Sequence, residues 1–262
     1  MKNRVTAPTW AEINLDNINF NLNNIRKLLK EDTKICTVLK ANAYGHGSVE
    51  IAKFLENKNV DYFAVARLEE AIELRENNIK MPILCLGFVP EESLEYALEN
   101  NITLTIYSLE MAKKLNDISE KTGITANIHI KIDTGMSRIG FEASEESIDQ
   151  IVNISNLNNL YIIPIIESSK FIYKEIKEEY FREMYSSILN HKERVLGIRI
   201  GLTDVLGMYG IRRKREFCIY DNLIATSFIE DVINYLNRDE LDIPISAGVS
   251  ELFNMDDEKI RE

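Results

Sequence analysis

Short apolar runs alternate with amphipathic stretches along most of the chain. This alternation is typical of repeated β–α units that build a parallel sheet. The runs that we predict to be strands are Ile35–Leu39, Tyr62–Ala66, Ile83–Leu86, Thr103–Ile106, Asn127–Ile132, Leu160–Ile166, Val195–Ile200 and Ile243–Ala247. The pattern therefore favours an α/β protein over an all-helical or an all-β one.

Apolar residues at three- and four-residue spacing predict helices between these strands. The clearest are Asp16–Leu29, Val49–Glu56, Leu68–Asn77, Glu91–Glu99, Leu109–Lys121 and Ile224–Leu236. About eight strands with helices between them is the count that closes a TIM barrel. We therefore predict an α/β barrel of the TIM type, and an open doubly wound sheet is the alternative.

A single domain over residues 1–262 is expected, because the chain has no Gly-Ser linker, no low-complexity tract and no obvious repeat. The chain stops soon after the last predicted strand, which leaves little sequence for an eighth helix. We therefore expect a barrel that is incompletely closed or covered on one side. Exposed apolar surface there would favour self-association into a homo-oligomer.

Composition narrows the class of protein. The net charge of −11 argues against nucleic acid or an anionic membrane as a partner. No apolar run is long enough for a membrane helix, and the first residues lack the apolar segment of a signal peptide, so a cytoplasmic protein is expected. The three cysteines are too scattered for a disulfide framework or a zinc site.

One lysine stands out as a candidate for covalent chemistry. Lys40 ends an apolar, β-rich run, and Gly45 and Gly47 follow it in a turn that permits close approach of a ligand. Partial desolvation would make the neutral amine of Lys40 more accessible, and a neutral amine forms a Schiff base with a carbonyl. The alternative is a solvated lysine that closes a strand.

The stretch Thr37–Gly47, TVLKANAYGHG, resembles the pyridoxal-phosphate lysine motif of alanine racemases. Two further stretches are similar to the same family. Pro8–Asp16 resembles its opening, and Ile130–Phe141 resembles its second motif. The resemblance covers about residues 7–160. It implies a TIM barrel that binds pyridoxal phosphate and acts on an amino acid.

The resemblance also implies roles for individual residues. Lys40 would hold the cofactor as a Schiff base and would act as the base on one face of the substrate. Tyr44 would hydrogen-bond to the cofactor phosphate. Arg138 would lie near the phenolic oxygen of the cofactor, oriented by Lys131, which is carbamylated in many relatives. Their ordinary alternatives are an exposed turn cation for Arg138 and a solvated strand residue for Lys131. His46 is interpreted as shaping the turn.

A second group of cofactor contacts is implied later in the chain. Racemases pair an arginine with the pyridine nitrogen, followed by a glycine and an aliphatic residue whose amides hold phosphate. Arg199, Gly201 and Leu202 have this arrangement. Racemisation also needs an acid–base group on the opposite face of the substrate. Alanine racemases take it from a tyrosine of a C-terminal β domain in the partner subunit, and no tyrosine here lies in the matching context.

Beyond about residue 160 the chain resembles the magnesium-dependent aldolase and citrate-lyase-like family instead. The resemblance covers about residues 160–255 and rests on Ile163–Ser168, Leu196–Arg213 and Ile219–Asn222. It implies that Glu167 and Asp204 bind Mg²⁺, whose preferred ligands are carboxylate oxygens. The metal would polarise an oxo-acid during carbon–carbon bond cleavage.

Three functions therefore stay open. The first is a pyridoxal-phosphate-binding barrel of the alanine racemase type, and the second is a magnesium-dependent lyase. The third is a chimeric barrel that folds without turning over a substrate.

Overall fold

The computed structural model describes residues 10–31, 33–133, 138–142, 157–162, 165–166, 169–195, 197–211, 219–236 and 243–246. The chain divides into two compact units, Met1–Leu104 and Thr105–Glu262. No helix among the described residues is long and apolar enough to cross a membrane.

The first unit alternates strands and helices in the predicted order. Its elements are α1 (Leu15–Leu28), β1 (Cys36–Val38), α2 (Ser48–Leu55), β2 (Tyr62–Val65), α3 (Leu68–Glu76), β3 (Ile83–Cys85), α4 (Leu94–Glu99) and β4 (Ile102–Ile106), the last of which ends in the second unit. The strands are parallel in the order β1-β2-β3-β4. Parallel strands covered on both faces need continuous apolar runs, which explains the complete burial of β3.

The start of β1, the strand that precedes Lys40, is fixed by an ion pair. The Arg26 guanidinium lies 3.3 Å from the Asp61 carboxylate. It also donates to the carbonyls of Asn59, at 2.8 Å, and Thr33. The same Asp61 oxygen accepts from the Ile35 N–H at 2.6 Å. These bonds attach α1 to the chain on both sides of β1.

The guanidinium of Arg75, in α3, holds the entries to β3 and β4. It donates to the carbonyls of Ile79 and Met81 at 2.8 Å, and to those of Asn100 and Asn101 at 3.0 Å. Burial lowers the pKa of Arg75 from its ordinary value. One side chain therefore fixes two loops at the amino ends of neighbouring strands.

We expect Arg75→Met to lower the free energy of unfolding by about 2 kcal/mol, because it leaves carbonyls without their charged donor. Urea denaturation followed by circular dichroism measures this change. Arg67→Met is the control, since the Arg67 side chain is 72% exposed and its loss should change stability by less than about 0.5 kcal/mol. Equal effects of the two substitutions would contradict the role given to Arg75.

The described strands of the second unit pair in parallel. They are β5 (Ala126–Ile130), β6 (Ile132–Asp133), β7 (Phe141–Glu142), β8 (Leu157–Ile162), β9 (Ile165–Ile166), β10 (Ile198–Ile200) and β11 (Ile245–Ser246). β5 pairs with β8, β6 pairs with β7, and β10 lies between β9 and β11. The helices in the described part of this unit are α5 (Leu109–Thr122), α6 (Lys177–Asn190), α7 (Leu202–Met208) and α8 (Leu223–Leu236).

An aromatic cluster forms part of the core of the second unit. Phe181 of α6 stacks on Tyr235 of α8 with ring centroids 4.7 Å apart, and it meets Phe171 edge-on at 5.0 Å. Lys177 and Asp231 join the same two helices through a mostly buried ion pair of 2.6 Å. The core and the ion pair together fix α6 against α8.

Each predicted strand has a counterpart, and most of the differences lie at the ends of the strands. The predicted strand Asn127–Ile132 is divided into β5 and β6, and the predicted strand Leu160–Ile166 overlaps β8 and β9. The predicted helix Glu91–Glu99 begins with a 3₁₀ turn at Glu91–Ser93 before α4. Helices α6 and α7 were not among the predicted elements.

Candidate functional site

The lysine predicted to be reactive begins an unusual turn. Lys40 follows β1, and the next four residues, Ala41–Tyr44, all have φ between 51° and 55°. This is the left-handed region, which costs about 1–2 kcal/mol for each residue that carries a Cβ. The sequence predicted a glycine-containing turn here, but the left-handed conformation begins four residues before Gly45, which shares it. Contacts from other elements must therefore hold this left-handed turn.

Backbone bonds fix the start of the left-handed turn. The Leu39 N–H donates to the Ala64 carbonyl of β2 at 2.7 Å, and the Ala43 N–H donates back to the Leu39 carbonyl at 2.8 Å. Leu39 is almost completely buried. The residue before Lys40 is thus anchored in the sheet and in the core.

A glutamate that the sequence did not single out also holds the turn. Oε1 of Glu70, in α3, accepts from the Ala41 N–H at 2.6 Å. Oε2 accepts from the N–H groups of Ala66 and Arg67 at 2.8 and 3.1 Å. The only signal in the sequence was a glutamate at the third position of a helix, which predicts a local cap and no contact with Ala41.

The end of the left-handed turn is fixed by Asn42. Its carbonyl accepts from the Gly47 N–H at 3.0 Å, and its Oδ1 accepts from the Ser48 N–H, at the start of α2, at 2.8 Å. Nδ1 of His46 lies 2.8 Å from the Ala43 carbonyl. This contact agrees with the interpretation that His46 shapes the turn.

Lys40 and Tyr44 are brought together by the turn. Nζ of Lys40 lies 5.9 Å from the centroid of the Tyr44 ring, and Tyr44 is 61% exposed. An accessible amine is the group that condenses with an aldehyde, and a phenol hydroxyl donates to phosphate oxygens. The two residues predicted to bind the aldehyde and the phosphate of one cofactor therefore lie side by side.

Three other titratable groups in the described part of the chain are unsuited to catalysis near neutral pH. Burial raises the pKa of the Cys36 thiol to about 12 and that of Cys85 to about 11. Burial also lowers the pKa of His129 to about 4. Both thiols thus stay protonated and His129 stays neutral, so Lys40 is the stronger candidate for a nucleophile.

A surface groove of about 570 Å³ lies elsewhere on the first unit. It is lined by residues of α3 and by side chains such as Phe88 and Tyr96, and neither Lys40 nor Tyr44 belongs to its lining. The candidate site is therefore the left-handed turn and not this groove.

In the second unit, Lys131 lies between β5 and β6. Its N–H donates to the Ile106 carbonyl at 2.9 Å, and its carbonyl accepts from the Phe141 N–H at 2.9 Å. The backbone at Phe141 thus lies against Lys131. Arg138 belongs to the connection between these two residues and is exposed. The cofactor contacts of Lys131 and Arg138 stay predictions.

The predicted phosphate contacts lie where β10 runs into α7. Arg199 is exposed between the buried Ile198 and Ile200. The Gly201 N–H donates to the Ile166 carbonyl at 2.9 Å, so this donor is engaged within the sheet. Leu202 is the first residue of α7, where a helix leaves its N–H without an internal acceptor. Of the two amides, that of Leu202 is therefore better suited to a phosphate.

The predicted magnesium ligands gain no support. Glu167 lies outside the described residues, as does the side chain of Asp204, whose backbone lies within α7. Within the described ranges no group of three or more His, Cys, Asp or Glu side chains could hold a metal ion.

Comparison with known proteins identifies the family. A family model described as "Alanine racemase, N-terminal domain" matches residues 13–182. An alanine racemase from Methanococcus maripaludis is 47% identical over 158 residues, which are 60% of this chain and 42% of that protein. Alanine racemase 1 from Caldanaerobacter subterraneus is 40% identical over 190 residues, 72% of this chain and 49% of that protein.

A solved structure of alanine racemase from Clostridium difficile 630, in complex with cycloserine, is similar in fold. It is 45% identical, with a TM-score of 0.64 over 76% of this chain and 56% of that one. The chain thus spans about half the length of the relatives it matches.

These matches confirm the predicted fold class, an α/β barrel of the TIM type. The family match continues past residue 160, where the racemase resemblance was expected to end. The lyase-like resemblance of residues 160–255 has no support in these comparisons. By the match over residues 13–182, the chain belongs to the alanine racemase N-terminal domain family.

Proposed function

We propose that this chain binds pyridoxal phosphate through Lys40 and serves in amino-acid racemisation. The observation that carries the proposal is the left-handed turn, which places the Lys40 amine 5.9 Å from the ring of the exposed Tyr44. The relatives are alanine racemases, so alanine is the first substrate to test.

The residues present fit this cofactor. Lys40 offers an amine for its aldehyde and Tyr44 a hydroxyl for its phosphate, on one rigidly bonded turn. When bound, the cofactor supplies an electron sink that stabilises negative charge at the substrate Cα. Lys40 then has the task of moving the proton at Cα on one face of the substrate.

We assign the remaining predicted contacts to the same cofactor. Arg138 and Lys131 would bind near its phenolic oxygen, Arg199 near its pyridine nitrogen, and Gly201 and Leu202 near its phosphate. Gly201 would contribute through its lack of a side chain, since its N–H already has a partner. The amide of Leu202, at the start of α7, would supply a donor.

Racemisation also needs a proton donor on the other face of the substrate. The resemblance assigns that role to a tyrosine of a C-terminal β domain in a partner subunit. The chain covers about half of its relatives, so we propose cofactor binding and proton transfer by Lys40 as its part of the reaction. Self-association into a homo-oligomer stays a prediction, which gel filtration tests.

Borohydride trapping tests the proposal directly. Reduction of the protein with pyridoxal phosphate should fix one label on the peptide that contains Lys40, because the phenol of Tyr44 beside this amine can donate to the cofactor phosphate. Mass spectrometry of the digest locates the label. Lys58, whose Nζ lies 5.0 Å from the Phe54 ring centroid, is the internal control for an amine beside an aromatic ring without a phenol. Equal labelling of Lys58 and Lys40 would contradict the proposal.

A further inference from the structure

We propose that Glu70 is a positioning residue for Lys40, and this inference rests on the proposed function. Its carboxylate joins the ends of two neighbouring strands. Oε1 accepts from the Ala41 N–H, which follows Lys40 at the end of β1. Oε2 accepts from the N–H groups of Ala66 and Arg67, which follow β2. One side chain thus bonds to three backbone donors on two segments.

The bond to Ala41 acts on the peptide unit next to the reactive residue. The N–H of Ala41 belongs to the same rigid plane as the carbonyl of Lys40. Fixing that N–H fixes the ψ angle of Lys40, and with it the direction in which the Lys40 side chain leaves the backbone. A bond of 2.6 Å to a carboxylate is of the strong, charge-assisted kind.

The left-handed turn explains why such a bond is needed. Four residues with a Cβ follow Lys40 in a conformation that each would abandon if it were unrestrained. Ala41 is the first of them, and its N–H is the donor that Glu70 binds. Loss of this bond would release the turn at its junction with Lys40, while the bonds of Asn42 at its other end would remain.

A glutamate at the third position of α3 could also serve only as a helix cap, and the chemistry separates the two roles. Both oxygens of Glu70 accept bonds, so Glu70→Gln would turn an NH₂ group toward one of the backbone donors. Glu70→Asp keeps a carboxylate in the first turn of α3, which preserves the charge that favours a helix start. It shortens the side chain by one methylene, so it should still cap α3 without reaching Ala41.

The first readout is cofactor affinity, measured by titrating the protein with pyridoxal phosphate and following visible absorbance. We expect Glu70→Gln and Glu70→Asp each to weaken cofactor binding about tenfold, because this change corresponds to the loss of one hydrogen bond to a charged group. Glu69→Gln is the matched control, because it makes the same charge change on the adjacent residue, whose side chain is 77% exposed. It should leave the affinity unchanged.

The second readout needs no cofactor. Hydrogen exchange of the Ala41 amide should become at least tenfold faster in both Glu70 variants and stay unchanged in Glu69→Gln. If wild-type protein binds no pyridoxal phosphate, the proposed function fails, and this exchange rate alone decides whether Glu70 holds the turn. The inference is overturned if Glu70→Asp keeps the wild-type cofactor affinity and the wild-type exchange rate of the Ala41 amide. A residue that only caps α3 would then be enough to explain the role of Glu70. Equal effects of Glu69→Gln and Glu70→Gln would also overturn it.

Discussion

Lys40→Ala is expected to abolish the visible absorption that develops when the protein is mixed with pyridoxal phosphate, and to weaken cofactor binding at least about 100-fold. The reason is that the proposed covalent bond to the aldehyde could no longer form, and in the first unit only the proposed noncovalent contact of Tyr44 would be left. Absorbance titration, followed by dialysis and assay of retained cofactor, measures both quantities. The alanine side chain has no amine, and none of the residues Ala41–Tyr44 of the turn carries one that could replace it.

Lys40→Arg is the matched control for charge. Arginine keeps the cation beside the Tyr44 ring, but its guanidinium does not form a stable Schiff base. If binding depends on the covalent bond, Lys40→Arg should lose the absorption as completely as Lys40→Ala. Retention of the cofactor by Lys40→Ala after dialysis would show that another lysine carries it, and the function proposed for the turn would then be wrong.

Phe181→Ala is expected to destabilise the second unit by about 4 kcal/mol, the cost of removing a fully buried ring and leaving a cavity. The ring stacks on Tyr235 and meets Phe171, so its loss weakens the packing of α6 on α8. Urea denaturation gives the change in free energy. Hydrogen exchange should show faster opening across Lys177–Asn190 and Leu223–Leu236.

Tyr173→Ala is the control for Phe181→Ala. Tyr173 belongs to the same unit but is 51% exposed, so its removal should cost less than about 1 kcal/mol. A loss below about 1 kcal/mol for Phe181→Ala would mean that the aromatic cluster does not stabilise this unit.

Much of the first unit could be predicted because its apolar runs are short, continuous and separated by amphipathic stretches. Ile83–Leu86 was predicted as a strand because it is a continuous apolar run, and the strand found there, Ile83–Cys85, is buried. The proximity of Lys40 and Tyr44 was also predictable, because the two residues belong to one short motif and lie only four positions apart. The pattern of apolar and polar residues therefore predicted those elements whose structure depends on residues close together in the sequence.

The left-handed turn could not be predicted, because its residues contradict local preference. Ala41–Tyr44 carry side chains that disfavour positive φ, and bonds from Ala64 and Glu70 offset that cost. Those partners lie more than twenty residues away in the sequence. The bridge made by Glu70 was overlooked for the same reason, since its spacing indicates only a helix start.

The second unit was predicted less well for a different reason. Phe181, Met184 and Ile188 have the spacing of a buried helix face, yet α6 was not predicted. The interpretation of this region instead relied on a resemblance to lyases, which implied that Asp204 binds Mg²⁺. Asp204 lies within α7, where the chain has already left β10 through Gly201. Periodicity was a better guide here than the second resemblance.

The backbone after Lys40 also has a consequence for how the sequence can vary. Glycine at positions 41 and 43, which now carry alanine, would relieve about 1 kcal/mol of conformational energy at each site, so such variants should be easy to fold. Each would also widen the range of directions open to the neighbouring amine. Heat tolerance and chemical competence would then change in opposite directions, and a screen for thermostability alone would select against reactivity.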